Sequence, residues 1–133
     1  MENCIFCKII KQEIQAHKIY EDEETIVILD INPASKGHSL VIPKKHYENL
    51  QDVTEEALKN IIVTTKKIAK KLQEKLNATG INVVNASGKD AQQTVEHIHF
   101  HVVPRYKEDG LDLWFHGRKK ELNVDEIKKQ IIN

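Results

Sequence analysis

The chain has 133 residues, enough for one domain that closes its own hydrophobic core, with little room for a second. Its 20 lysines and arginines balance 20 aspartates and glutamates, so no net charge draws it to nucleic acid or to an anionic membrane surface. No stretch approaches the ~20 apolar residues that span a bilayer, and MENCIFCKIIKQ lacks the basic-then-apolar order of a secretory leader, so the expected location is cytoplasmic.

In a reducing compartment Cys4 and Cys7 point to metal ligation or redox chemistry rather than to a structural disulfide. They open a stretch, Cys4 to Gln12, that reads as a short helix with Ile5, Phe6, Ile9 and Ile10 toward one side. KIYED and TIVILDI follow as two strands across the acidic turn DEE, the second rich in β-branched residues. INPASKGH is a loop, and HSLVIPKK a third strand that ends near Pro43, because proline cannot donate to a ladder.

From Thr54 to Leu76, Leu58, Ile61, Ile62, Thr65, Ile68, Ala69, Leu72 and Leu76 recur at three- and four-residue steps. That period predicts one long amphipathic helix with Lys66, Lys67, Lys70 and Lys71 mostly on its solvated side. Asn77 to Gly80 supplies its stop. GINVVNA is a fourth strand, SGKDAQQTVE a polar loop, HIHFHVVP a fifth strand, and VDEIKKQII a short terminal helix. Strands in succession around one inserted helix predict an α+β fold with an antiparallel sheet, a single domain over residues 1–133 with a tail from 106 to 133.

The fifth strand carries EHIHFHVVPR. Residues two apart on a strand share a face, roughly 6.5–7 Å apart. His97, His99 and His101 therefore line one side while Ile98, Phe100 and Val102 pack the other. Burial of the apolar side asks only for polar residues opposite, and three imidazoles are a narrower demand. Metal ligation through neutral imidazole and phosphoryl transfer to an imidazole nitrogen both use such a row. Cys4-x-x-Cys7 would supply two thiolates to a Cys2His2 site, although the same spacing also serves redox pairs.

HIHFHVV resembles the H-x-H-x-H-x-x signature of the histidine-triad (HIT) superfamily of nucleotide hydrolases and transferases. CIFCKII, YEDEETIVILDINPASKGHSLVIPKKH and QTVEHIHFHVVPR are similar to its successive blocks, in order, over nearly the whole chain. The closest resemblance is to the small phosphoramidase-type branch in its zinc-bearing form. It implies a purine nucleotide substrate, with hydrolysis of nucleoside monophosphate conjugates through a nucleotidyl-histidine intermediate.

By that resemblance His99 is the nucleophile, His101 bonds a phosphate oxygen or the leaving group, and His38 supports the catalytic imidazole. Cys4, Cys7, His46 and His97 would hold a structural Zn2+. Asp30 would accept from the ribose hydroxyls, and Phe6, Ile9, Leu29 and Ile31, with Ile5, would form the base slot. Gln93 and Thr94 match phosphate-contacting positions. The resemblance also implies a homodimer in which the tail reaches the partner's site, with Trp114 as lid or specificity residue; an anchor on its own subunit is the alternative.

Two positions depart from the family pattern. Ala86 stands where an asparagine or glutamine contacts phosphate, leaving Asn85, one position away, as the substitute, and Gln92 replaces a common glycine. Three other functions stay open at this point: a dinucleoside polyphosphate hydrolase, a nucleotide-binding adaptor, and a CxxC thiol oxidoreductase.

Overall fold

The periodic segments fold as an antiparallel five-stranded sheet covered on both faces, in a computed structural model that describes residues 3–117 and 122–133. In chain order the elements are α1 (Ile5–Ile10), β1 (Lys18–Glu21), β2 (Thr25–Leu29), β3 (Ser39–Pro43), α2 (Glu55–Leu76), β4 (Gly80–Val84), a 3-10 turn (Lys89–Ala91), β5 (Phe100–Arg105) and α3 (Val124–Ile132). The strand order is β1-β2-β3-β5-β4. Among the described residues no helix is long and apolar enough to cross a membrane.

Helix α2 forms where the 3.6-residue period is longest. Its N-cap Thr54 accepts from the backbone N–H of Ala57, and Asn77 closes it in the left-handed conformation. Ile61, Ile68 and Leu72 pack on Val27, Val41, Ile98, Phe100 and Val102 of the sheet, each worth about 1.5–3 kcal/mol of burial. The four lysines face solvent, as the period predicts. Ile62 does not join the core: it is 47% exposed beside Val63, while Thr64 takes a buried place instead.

The other face of the sheet buries a second cluster, in which Ile26, Ile28, Leu40 and Ile42 meet Phe6 of α1. Cys4 caps α1, its sulfur accepting the N–H of Cys7 at 3.4 Å. Strand alternation thus divides β2 between two cores, Val27 toward α2 and its neighbours toward α1. Gly37, just before β3, has φ +91°, and a Cβ there would stand 2.5 Å from Leu76. The positive φ strains any other residue there, and a Cβ would also push the tip of the Leu76 side chain aside.

Several strands are shorter than their sequence patterns. Asp22 leaves β1 to accept the N–H groups of Glu24 and Thr25, which builds the turn. Asp30 and Ile31 fall beyond β2, His38 precedes β3, and Asn85 lies past the end of β4. The largest difference is in the histidine row, where β5 begins only at Phe100. The N–H of Ile98 bonds the carbonyl of Tyr47 at 2.7 Å instead of a ladder partner. The alternation survives this departure: Ile98, Phe100 and Val102 still pack toward α2.

Candidate active site

His97, His99 and His101 leave the sheet on the α1 side, and the edge of the Phe6 ring packs against the first two at centroid distances of 5.8 and 5.1 Å. Although neighbours in one row, they divide between two sites. His97 turns to the N-terminal cysteines, whereas His99 and His101 line a cleft of about 910 Å3.

In the first site, the Nδ1 of His97 stands 3.3 Å from Cys4 Sγ, 3.6 Å from Cys7 Sγ and 3.1 Å from His46 Nδ1, and Cys7 Sγ is 3.4 Å from His46 Nδ1. A tetrahedral zinc ion with normal bond lengths sets its ligand atoms roughly 3.3–3.8 Å apart. The three separations that involve sulfur fall within this range and the imidazole pair is slightly short of it, while two thiols and two imidazoles are donors that zinc takes. The protonation pattern agrees: the Nε2–H of His97 donates to the carbonyl of Pro43 at 2.8 Å, which leaves the Nδ1 lone pair toward the thiols. Burial holds the His97 imidazole neutral, with its pKa lowered to about 4.

In the cleft, the backbone fixes two more imidazoles, and one of these fixes a third. The Nδ1–H of His99 donates to the carbonyl of His97 at 2.8 Å, so its Nε2 carries the lone pair. His38 Nδ1 accepts the N–H of Ala34 at 2.9 Å, which places its proton on Nε2. That proton points at Nδ1 of His101, 2.9 Å away, and His101 in turn keeps a proton on its own Nε2. Asp30 Oδ2 lies 3.6 Å from His38 Nε2, and Asp30 Oδ1 accepts the N–H of Asn32. Burial lowers the pKa of His38 and His99, and burial followed by the neighbouring His99 and His38 lowers His101 to about 4. All three are neutral near pH 7.

Asp30, His38 and His101 also lie close enough to hold a cation. Their tautomers argue against it. A metal on His38 Nε2 would move the proton to Nδ1, where it would face the Ala34 N–H donor. The group is a hydrogen-bond chain that ends in a donor at His101.

Of the residues expected around a nucleotide, Ile5, Phe6, Ile9, Leu29, Asp30, Ile31 and Thr94 line the cleft. Asn85, Gln93 and Trp114 are not among its lining residues. The amide of Asn85 donates to the carbonyl of His99 and accepts from Ser87. Gln93 spends its amide on Gly88, Glu48 and Val95, which closes the loop before the histidines. Trp114 is 72% exposed beside Phe115, so the anchor on its own subunit is not the arrangement seen. Residues 118–121 of the tail lie outside the described residues.

Sequence reasoning missed Ile26, Ile28, Leu40 and Val95 as cleft walls. For the first three, strand alternation carried the signal.

A model of the HIT domain matches residues 11–108. The chain belongs to the HIT family. An uncharacterized HIT-like protein of Methanocaldococcus jannaschii is 48% identical over 128 residues, 96% of this chain and 98% of its own. The adenosine 5'-monophosphoramidase HNT1 of Candida albicans is 41% identical over 110 residues, 80% of this chain and 72% of its own. Among solved structures, a zinc-bound histidine triad family protein of Mycobacterium smegmatis superimposes with a TM-score of 0.81 at 43% identity, covering 84% of this chain and 81% of that one. The antiparallel α+β architecture of this HIT protein is the one expected from its strands.

Proposed function

We propose that this HIT protein hydrolyses nucleoside monophosphate conjugates, purine nucleoside phosphoramidates above all, through a nucleotidyl intermediate on His99. One observation carries the reading: the backbone carbonyl of His97 holds the Nδ1 proton of His99, so that a neutral imidazole offers its Nε2 lone pair at the cleft. The adenosine 5'-monophosphoramidase of Candida albicans, 41% identical, supports the substrate class.

In the first step His99 Nε2 bonds to phosphorus as the P–N bond to the amine breaks, and the amine leaves with a proton from solvent. Water then breaks the Nε2–P bond and releases the nucleoside monophosphate. His101 Nε2–H, aligned by His38, donates to a phosphate oxygen or the leaving atom, where negative charge grows. Thr94 adds a donor for the phosphate, Asp30 accepts from the ribose, and Phe6, Ile9, Leu29 and Ile31 enclose the base.

Cys4, Cys7, His46 and His97 would hold a structural Zn2+, and the zinc-bound relative supports that identity. With four protein ligands such an ion has no open position and supplies a crosslink rather than an activated water.

The protein acts as a single domain and as a homodimer in the cytoplasm, binding neither nucleic acid nor membrane, with the tail and Trp114 reaching the partner. The outer edge of β4 supports the dimer: unlike β1, which ends in Lys18 and Glu21, it presents Val83 and Val84, 45% and 41% exposed.

Turnover of adenosine phosphoramidate compared with diadenosine polyphosphates tests the assignment. We expect kcat/KM to favour the phosphoramidate by about 10-fold or more. A preference for the polyphosphates overturns it, and nucleotide binding without turnover of either would leave an adaptor.

A further inference from the structure

We propose that Asn85 is a positioning residue for His99, acting through that histidine's main-chain carbonyl; the inference rests on the reading of His99 as nucleophile. The β4–β5 ladder ends with Val84 opposite His101. The same register continued by two residues would set Ala86 opposite His99, but β4 has already stopped. At this gap the side chain of Asn85 takes over, its Nδ2 donating to the His99 carbonyl at 3.0 Å.

The orientation of that amide is forced by its neighbours. Ser87 Oγ accepts the N–H of Leu50 at 2.9 Å, and its own proton goes to Asn85 Oδ1 at 2.8 Å. The oxygen end of the amide is therefore fixed toward Ser87 and the NH2 end toward His99. Leu50 belongs to a segment that begins with His46 and is stitched to the histidine row a second time, through the Tyr47 carbonyl and the N–H of Ile98. His99 is thus held at two points. The His97 carbonyl fixes its ring, and the Asn85 amide fixes its peptide. A nucleophile needs both, because a tilt of the peptide moves Nε2 out of line with phosphorus and loosens the bond from Nδ1–H to the His97 carbonyl.

Asn85→Asp tests this, since it keeps the shape and the acceptor for Ser87 but turns the donor facing His99 into an acceptor. We expect kcat to fall about 10- to 100-fold with KM changed less than about 2-fold. Ser87→Ala should lose about 3- to 10-fold in kcat, and adding it to Asn85→Ala should cost nothing more, as the two act as one relay. Solvent exchange of the His99 Nδ1 proton, followed by 15N NMR, should speed up in Asn85→Asp by about 10-fold or more.

A rise in KM with kcat intact would make Asn85 a phosphate contact and overturn the proposal, as would unchanged kinetics or unchanged exchange. If Asn85→Asp fails to fold, Ser87→Ala decides by the same criteria. The exchange measurement needs no substrate, so a wild-type protein inert toward phosphoramidates would refute the functional reading and leave this inference to the NMR result.

Discussion

Two groups of side chains lie near each other on the α1 face of the sheet, Cys4-Cys7-His46-His97 and Asp30-His38-His101, and by proximity alone either could hold a metal ion. They differ in where the backbone puts protons. The Pro43 carbonyl takes the Nε2 proton of His97 and leaves a lone pair among the cysteines, whereas the Ala34 N–H takes the Nδ1 lone pair of His38 and leaves a proton facing His101. One group is a set of electron-pair donors and the other a proton chain. His97 and His38, alike in chemical type, thus acquire different tasks from single main-chain atoms.

Cys7→Ser attacks the first group. It should take bound zinc from about one ion per chain to none and lower Tm by roughly 10 °C or more, measured by metal analysis and calorimetry. The loss should reach the cleft as well, because the carbonyl that orients His99 belongs to His97, one of the four proposed ligands. Retained metal would contradict the assignment.

His38→Ala attacks the second. With no donor at its Nδ1, His101 loses its enforced tautomer, and kcat should fall about 10- to 100-fold. Zinc content should stay unchanged. Lost zinc would mean that the two groups are coupled rather than separate.

Acid gives a smaller effect with a definite sign. The folded pKa of His101 lies at about 4, below its ordinary value, so the unfolded chain takes up the proton first as pH falls. Its contribution to stability is fully present above pH ~6.5 and is lost toward pH ~4. His101 is partly exposed, which limits the amount to about 1–2 kcal/mol. Denaturant unfolding of wild type and His101→Asn across that range should show the wild-type slope reduced in the variant; equal slopes would place the charge uptake elsewhere.

The sequence makes legible what repeats. The 3.6-residue period marks α2 to its caps, and alternation puts the three histidines opposite Ile98, Phe100 and Val102 even where the ladder has not begun. The pairing of Cys4 and Cys7 with His46 and His97 follows from resemblance, and their mutual distances fit it. Contacts between a side chain and one backbone atom of a distant loop were not legible. No local pattern says that Asn85 will meet the carbonyl of His99, that Gln93 will turn to Glu48, or that Ala34 will settle the tautomer of His38. Ile62 fits the apolar period yet stays exposed, because a period gives the width of a stripe and not the width of the sheet beneath it.

The most direct measurement is a rapid quench of the protein with an adenosine phosphoramidate, followed by mapping of the adenylate to a residue and an atom. The expected result is a labile adduct on Nε2 of His99, absent in His99→Ala, which should still fold and bind zinc. An adduct on any other residue, or undiminished turnover in His99→Ala, would contradict the central claim.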